Sequence, residues 1–142
     1  VGTVHKVLKA LVLDYGGVLT DPGEDNAAEP PLLTALRKAR EQGLKTALLS
    51  NADGWWQPPG TWQGLFDATI ISGEVGLAKP DPEIYLLTAT RLNLEPGECV
   101  FVDDLAINVR GAAAAGMVGV HHRSTRSTLE ELEILLAIAL CD

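Results

Sequence analysis

Residues 100–117 read VFVDDLAINVRGAAAAGM: an apolar run that begins at Cys99, two adjacent acids, an alanine-rich stretch and a glycine. Cys99–Val102 has the β-branched and aromatic content of a buried strand, Leu105–Ala115 suits a helix, and Gly116 suits its left-handed end. Met117–His121 then reads as another short strand. The same rhythm runs in both directions. Upstream, Val7–Leu13 reads as a first strand, Pro31–Gln42 as a helix opened by Pro31 and stopped by Gly43, and Leu44–Leu49 as a second strand. Ala68–Ile71 is a third short strand and Pro82–Leu92 a helix. Downstream, Thr128 is expected to cap a last helix, with Glu130, Glu131 and Glu133 near its positive end. Short apolar runs alternating with helical-period segments specify a parallel sheet covered by helices on both faces. The expected fold class is therefore α/β, a three-layer α/β/α Rossmann-like sandwich around a mainly parallel sheet.

At 142 residues and 15.1 kDa the chain is the size of one domain. Hydrophobic residues at 46% and charged residues at 21% are enough to build a core, which excludes disorder and fibrous repeats. A net charge of −8 has the wrong sign for coating nucleic acid or an anionic membrane. The longest apolar run, Ile134–Cys141, has 8 residues, far short of the roughly 20 that cross a bilayer. With no secretory signal pattern either, the expected location is the cytoplasm. Cys99 and Cys141 supply neither a disulfide framework nor a zinc ligand set, and Cys99 is expected in the core.

Two stretches break the βα rhythm. Thr20–Pro30 (TDPGEDNAAEP) is acidic and turn-rich, with its charges expected in solvent, and Asn51–Leu65 (NADGWWQPPGTWQGL) holds all three tryptophans. Ligands of open α/β sheets bind beyond the carboxyl ends of the strands. Here a polar residue follows each of the first four: Asp14, then Ser50 and Asn51, then Ser72, then Asp103 and Asp104. Lys79 follows the third strand in GEVGLAKPDP. Three carboxylates at one mouth repel one another unless a hard cation or a shared proton compensates, and Mg²⁺ with oxygen ligands meets that need. A lysine and a hydroxyl beside them would hold a phosphate. Taken alone, Asp104 reads equally well as the cap of the following helix.

In order, the motifs LVLDYGGVLT, LLSN, EVGLAKPDPEIY and VFVDDLAINVRGAAAAGM resemble those of the haloacid dehalogenase (HAD) superfamily of phosphatases and related hydrolases, over nearly the whole chain from Val7. The resemblance implies that Asp14 is the nucleophile that forms an aspartyl-phosphate and that Ser50, with Asn51 beside it, binds the phosphoryl oxygens. It implies that Lys79 neutralises their charge and keeps Asp14 ionised. Mg²⁺ would be held by Asp14, Asp104 and the backbone carbonyl of Gly16, with Asp103 and Asn108 in support.

Two features depart from the family pattern. The phosphatases usually carry a second Asp two residues after the nucleophile, and this chain has Gly16 there, so no side chain can protonate a leaving alkoxide or activate water. General acid-base catalysis contributes about 100- to 10,000-fold, so hydrolysis of unactivated esters should be slow. Tyr15, beside the nucleophile on a strand end, is expected to point away. Second, 35 residues separate Asp14 from Ser50, and Lys79 lies 28 positions after Asn51, leaving no space for a cap domain. A single capless domain with an open site is expected. The loop carrying Trp55, Trp56 and Trp62 would face that opening, to pack over the sheet, to make a homo-oligomer contact or to touch substrate. His121 and His122 lack a paired ligand set, and Arg123 and Arg126 read as surface residues.

Three readings follow. One is a Mg²⁺-dependent phosphohydrolase acting on a phosphorylated small molecule or macromolecule, slow or restricted to good leaving groups such as acyl or aryl phosphates. The second is a catalytically degenerate module that binds phosphate or protein. The third, a receiver-type signalling domain, is disfavoured because receivers carry the acidic pair at the first strand, where this chain has a single Asp.

Overall fold

Alternate residues of the first strand face opposite sides of the sheet. Leu11 and Leu13 pack into one core, Ala10 and Val12 into a second, and all four are fully buried. A strand buried on both faces needs helices above and below, and the chain supplies them. The computed structural model describes residues 7–24 and 28–140. Strands β1 (Ala10–Leu13), β2 (Lys45–Ser50), β3 (Ala68–Ile71), β4 (Cys99–Asp103) and β5 (Val118–His121) form one sheet in the order β3-β2-β1-β4-β5. Every pair is parallel, with Leu13 opposite Leu48 on one side and Val102 on the other.

Helices α1 (Pro31–Glu41) and α5 (Thr125–Leu136) cover one face. The single turn α2 (Ser72–Val75) follows β3 directly, and α3 (Pro82–Arg91) and α4 (Ala106–Ala114) cover the other face. In α1 the buried set is Leu32, Leu33, Ala35, Leu36 and Ala39, one stripe at helical spacing. Its outer side is tied down by Arg37 Nε donating to Glu29 and Arg40 Nη1 donating to Thr46 Oγ1 and Asp67. After β1 the chain moves to β2 and β3 along one direction of the sheet, then returns past β1 to β4 and β5. This reversal leaves a crevice at the carboxyl ends of β1 and β4.

The three-layer α/β fold expected from the sequence is present, with differences in detail. The first strand begins at Ala10 rather than Val7, which is exposed. Ser124, not Thr128, caps α5: its Oγ accepts from Ser127 N at 3.1 Å. Thr128 is buried one turn in, where its hydroxyl meets His122 Nδ1 at 2.7 Å. No strand forms between Thr20 and Pro30 among the described residues, and residues 25–27 lie outside them, as does Cys141. Nor are the acids of this stretch all solvated. Asp21 pairs with His122 Nε2 at 2.7 Å, and Glu29 bonds both Thr34 and Arg37. Among the described residues no helix is long and apolar enough to cross a membrane.

Candidate functional site

β1 delivers Asp14 to the crevice. Its backbone is still extended and its N–H donates to Val102 O, so the carboxylate sits on the last rung between β1 and β4. The chain then leaves the sheet in an irregular turn, Tyr15–Leu19, made possible by Gly17 at φ +83°. A Cβ on Gly17 would lie 2.7 Å from Asp104 Cγ, so the missing side chain also admits the Asp104 carboxylate. Gly16 has an ordinary φ of −67°, and a Cβ there would meet no heavy atom within 4 Å.

Lys79 is the centre of the arrangement. Its ammonium is buried and donates to Asp14 Oδ1 at 2.8 Å, Asp103 Oδ2 at 2.9 Å and Leu49 O at 3.0 Å. These bonds use all three of its protons and fix the side chain as a rigid positive point. Its backbone is held just as firmly: Asn51 Oδ1 accepts from Lys79 N, and Asn51 Nδ2 donates to Lys79 O. The expectation for Asn51 was substrate contact; what its amide does in this structure is hold the lysine segment beside β2.

Asp103 is fully buried and accepts three hydrogen bonds. Oδ1 accepts from Leu105 N, and Oδ2 accepts from both Lys79 and Asn108 Nδ2. It therefore caps the turn into α4, the task that Asp104 was equally suited to by sequence. Freed from capping, Asp104 lines the open cleft with Asp14, Gly16, Ser50, Asn51, Lys79 and Asn108. Tyr85 completes the support by donating from its hydroxyl to Asn108 O at 2.7 Å. Burial pushes the Asp14 carboxyl up to about 6 against the pull of the Lys79 ammonium, and the charge of Asp103 adds to the rise.

Oxygens of Asp14, Asp103 and Asp104 all approach within 4.8 Å of one another. Three carboxylates against one ammonium leave two negative charges in the crevice, which repels a phosphate dianion. An all-oxygen acidic donor set suits a hard divalent cation. Asp103 is fully buried and accepts from three donors, whereas Asp14 and Asp104 line the cleft and are the pair placed to ligate it, with Gly16 on the same cleft.

Tyr15, Trp56 and Leu105 line the same cleft. Trp56 comes from the loop expected to face the opening, whereas Tyr15 and Leu105 are additions that the sequence reading does not place at the site. Tyr15 does not point away: strand alternation ends at Asp14, and the turn brings its ring edge-to-face against Trp56, centroids 4.7 Å apart. Trp62 packs behind Tyr15 at 5.7 Å, while Trp55 is 78% exposed. The three tryptophans thus have three different environments, which a loop sequence without periodicity does not encode. Ser72 lies outside the cleft and holds the tryptophan loop instead, accepting from Ala52 N and donating to Ala52 O. His121 Nε2 meets Asp104 O at 2.9 Å, and Arg123 Nε donates to His121 Nδ1, so Nε2 is the ring nitrogen that carries the proton toward the Asp104 carbonyl.

Comparison with known proteins agrees with this geometry. The chain is 34% identical over 135 residues to acyl-CoA dehydrogenase family member 10 of Mus musculus, covering 91% of this chain and 12% of that protein. It is 34% identical over 113 residues to glyceraldehyde 3-phosphate phosphatase of Methanopyrus kandleri, covering 73% and 46% respectively. The chain thus spans less than half the length of these curated relatives. Among solved structures, an uncharacterized protein from Corynebacterium glutamicum superposes with a TM-score of 0.79 at 32% identity, covering 92% of this chain and 96% of that one. A HAD-family enzyme from Bacteroides thetaiotaomicron, in complex with magnesium and inorganic phosphate, gives 0.53 at 26% identity over 66% of this chain and 51% of that one. The family description "haloacid dehalogenase-like hydrolase" matches residues 24–116, the larger part of the chain, and with the sheet order and the relatives it establishes that this chain belongs to the haloacid dehalogenase-like hydrolases.

Proposed function

We propose that this chain is a Mg²⁺-dependent phosphohydrolase that works through an aspartyl-phosphate on Asp14, in a single core domain without a cap. The observation that carries the reading is the Lys79 ammonium held between Asp14 and Asp103 at the floor of an open cleft. A nucleophile and a fixed cation side by side are what phosphoryl transfer needs most. An oxygen of Asp14 attacks phosphorus, and the bond from phosphorus to the leaving oxygen breaks with its electron pair on that oxygen. Water then attacks the phosphorus of the aspartyl-phosphate, restoring Asp14 and releasing inorganic phosphate. The proton this water gives up balances the one the departing oxyanion takes from solvent. Ser50 binds the phosphoryl oxygens and Lys79 offsets their charge. Asp14, Asp104 and the Gly16 carbonyl would hold Mg²⁺, which would supply further charge neutralisation.

Gly16 supports a second reading. Without an acid there, the chain is a catalytically degenerate module that holds a phosphate group or a protein partner in the same pocket. One experiment separates the two: hydrolysis of an aryl phosphate with Mg²⁺, with chelator, and with Asp14→Asn. Metal-dependent turnover lost in the variant supports the enzyme. No turnover under any condition, with Mg²⁺ still raising the melting temperature, supports the binding module.

A further inference from the structure

The cleft above Asp14 has two unlike halves. Its buried floor is polar, built from Asp14, Ser50, Lys79 and Asn108, and on its more exposed rim the side chains of Tyr15, Trp56 and Leu105 form an apolar section beside Asn51 and Asp104. β1 lies between β2 and β4 in the sheet, so Trp56, from the segment after β2, and Leu105, from the turn after β4, flank the nucleophile. Trp56 meets Tyr15 edge to face, Tyr15 leans on Trp62, and Trp62 on Phe66 at 6.5 Å, which makes the wall a braced aromatic cluster. Leu105 is 55% exposed, an apolar side chain facing water beside a charged floor. The cleft encloses about 390 Å³, far more than a phosphate group fills and within the roughly 300–1,000 Å³ of small-molecule sites.

We infer that Tyr15, Trp56 and Leu105 form a leaving-group subsite that selects aryl phosphate monoesters. The inference rests on the phosphohydrolase reading above and deepens it. A phosphate on the polar floor directs the rest of its ester toward the open rim, where a flat apolar body buries area against Trp56 and Leu105 and meets an aromatic edge or face. Leaving-group chemistry agrees independently. With no side chain at position 16, the leaving oxygen departs unprotonated, which suits a phenol with a pKa of about 10, like that of tyrosine, better than an aliphatic alcohol. Acyl phosphates meet that chemical requirement equally but lack the flat body, so comparing the two isolates the subsite.

The test uses the full chain with Mg²⁺ and two readouts. Binding of phenylphosphonate and methylphosphonate is measured by calorimetry, and kcat/KM is measured for 4-nitrophenyl phosphate and acetyl phosphate. Wild type should prefer the phenyl ligand by about tenfold, the size of one aromatic contact with its buried area. Trp56→Ala should erase that preference and lower the aryl-to-acetyl ratio of kcat/KM by a similar factor, mainly through KM. Leu105→Ser, at a half-exposed position that cannot unsettle the core, should move both readouts the same way, and Trp55→Ala, outside the cleft, should move neither. Equal binding of the two phosphonates by wild type, or an unchanged ratio in Trp56→Ala and Leu105→Ser, overturns the subsite and leaves the phosphohydrolase reading intact. Failure to bind either phosphonate or to hydrolyse either ester overturns both.

Discussion

Gly16→Asp isolates the most consequential single position in the chain. The structure shows why the variant should fold: φ −67° and ψ 124° are ordinary for any residue, and a Cβ placed there has no heavy-atom neighbour within 4 Å. The position lines the cleft, so the new carboxyl can reach a leaving oxygen without displacing Lys79 or Asp104. A positioned general acid or base contributes about 100- to 10,000-fold, equivalent to roughly 3–5 kcal/mol of barrier. The gain should depend on the leaving group: near the upper part of that range for an alkyl phosphate, which needs protonation, and much smaller for an aryl phosphate, which does not. The assay is phosphate release from one ester of each kind at pH 7 with Mg²⁺, alongside thermal melting. Gly17→Asp serves as the contrast, because φ +83° and the approach of Asp104 to 2.7 Å from a Cβ should make that variant unstable or metal-blind. If Gly16→Asp melts normally and still responds to Mg²⁺, yet its alkyl phosphate rate stays within about threefold of wild type, the missing acid is not what limits turnover.

Lys79→Met should abolish turnover and lower stability at pH 7 by about 3–5 kcal/mol in urea titrations, because Asp14 and Asp103 then face each other buried and without a cation; recovery of stability on acidification, as Asp14 takes up a proton, would confirm the cause. Asp21 is held below the usual carboxylate range, first by the Gly23 amide and then, against burial, by His122. Its stabilisation is therefore present above the unfolded pKa near 3.8 and is lost as pH falls through the lower folded value. Asp21→Asn should melt lower than wild type at pH 7, and the gap should close at acid pH; a gap constant across that range would contradict the assignment. Burial, with the Glu98 charge adding to it, pushes the Cys99 thiol up to about 11. In a Cys141→Ser background, Cys99 should resist alkylation at pH 8 and react only on addition of denaturant, and prompt labelling of the native protein would show that β4 opens.

The residues at the strand ends were legible because an open parallel sheet gathers them whatever the loops do. Asp14, Ser50 and the Asp103–Asp104 pair stand far apart in sequence and meet through the register that sets Leu13 beside both Leu48 and Val102, and Lys79 reaches them from the loop before α3. What each does within the group was less legible. Asp103 and Asp104 are adjacent identical residues, and the path of the turn makes the first the buried cap and the second the carboxylate on the cleft. Asn51, which the sequence places beside the phosphate, lines the cleft and also clamps Lys79, a role set by a segment 28 positions away. Tyr15 illustrates the limit of periodicity: alternation predicts its side chain only while the backbone stays extended, and the extended run ends at Asp14 where the turn Tyr15–Leu19 begins.

From the sequence alone came the α/β class, the order of its elements and the cluster of acids and one lysine at the carboxyl edge. These depend on local patterns of apolar spacing, proline and glycine, and on a sheet rule that holds for any such pattern. The tertiary structure alone decided which oxygen accepts which proton, that Asp103 takes the cap of the turn into α4, and that Tyr15 turns against Trp56 at the cleft. Those outcomes depend on turns and loops, where no repeat constrains the backbone and contacts between distant segments fix the geometry.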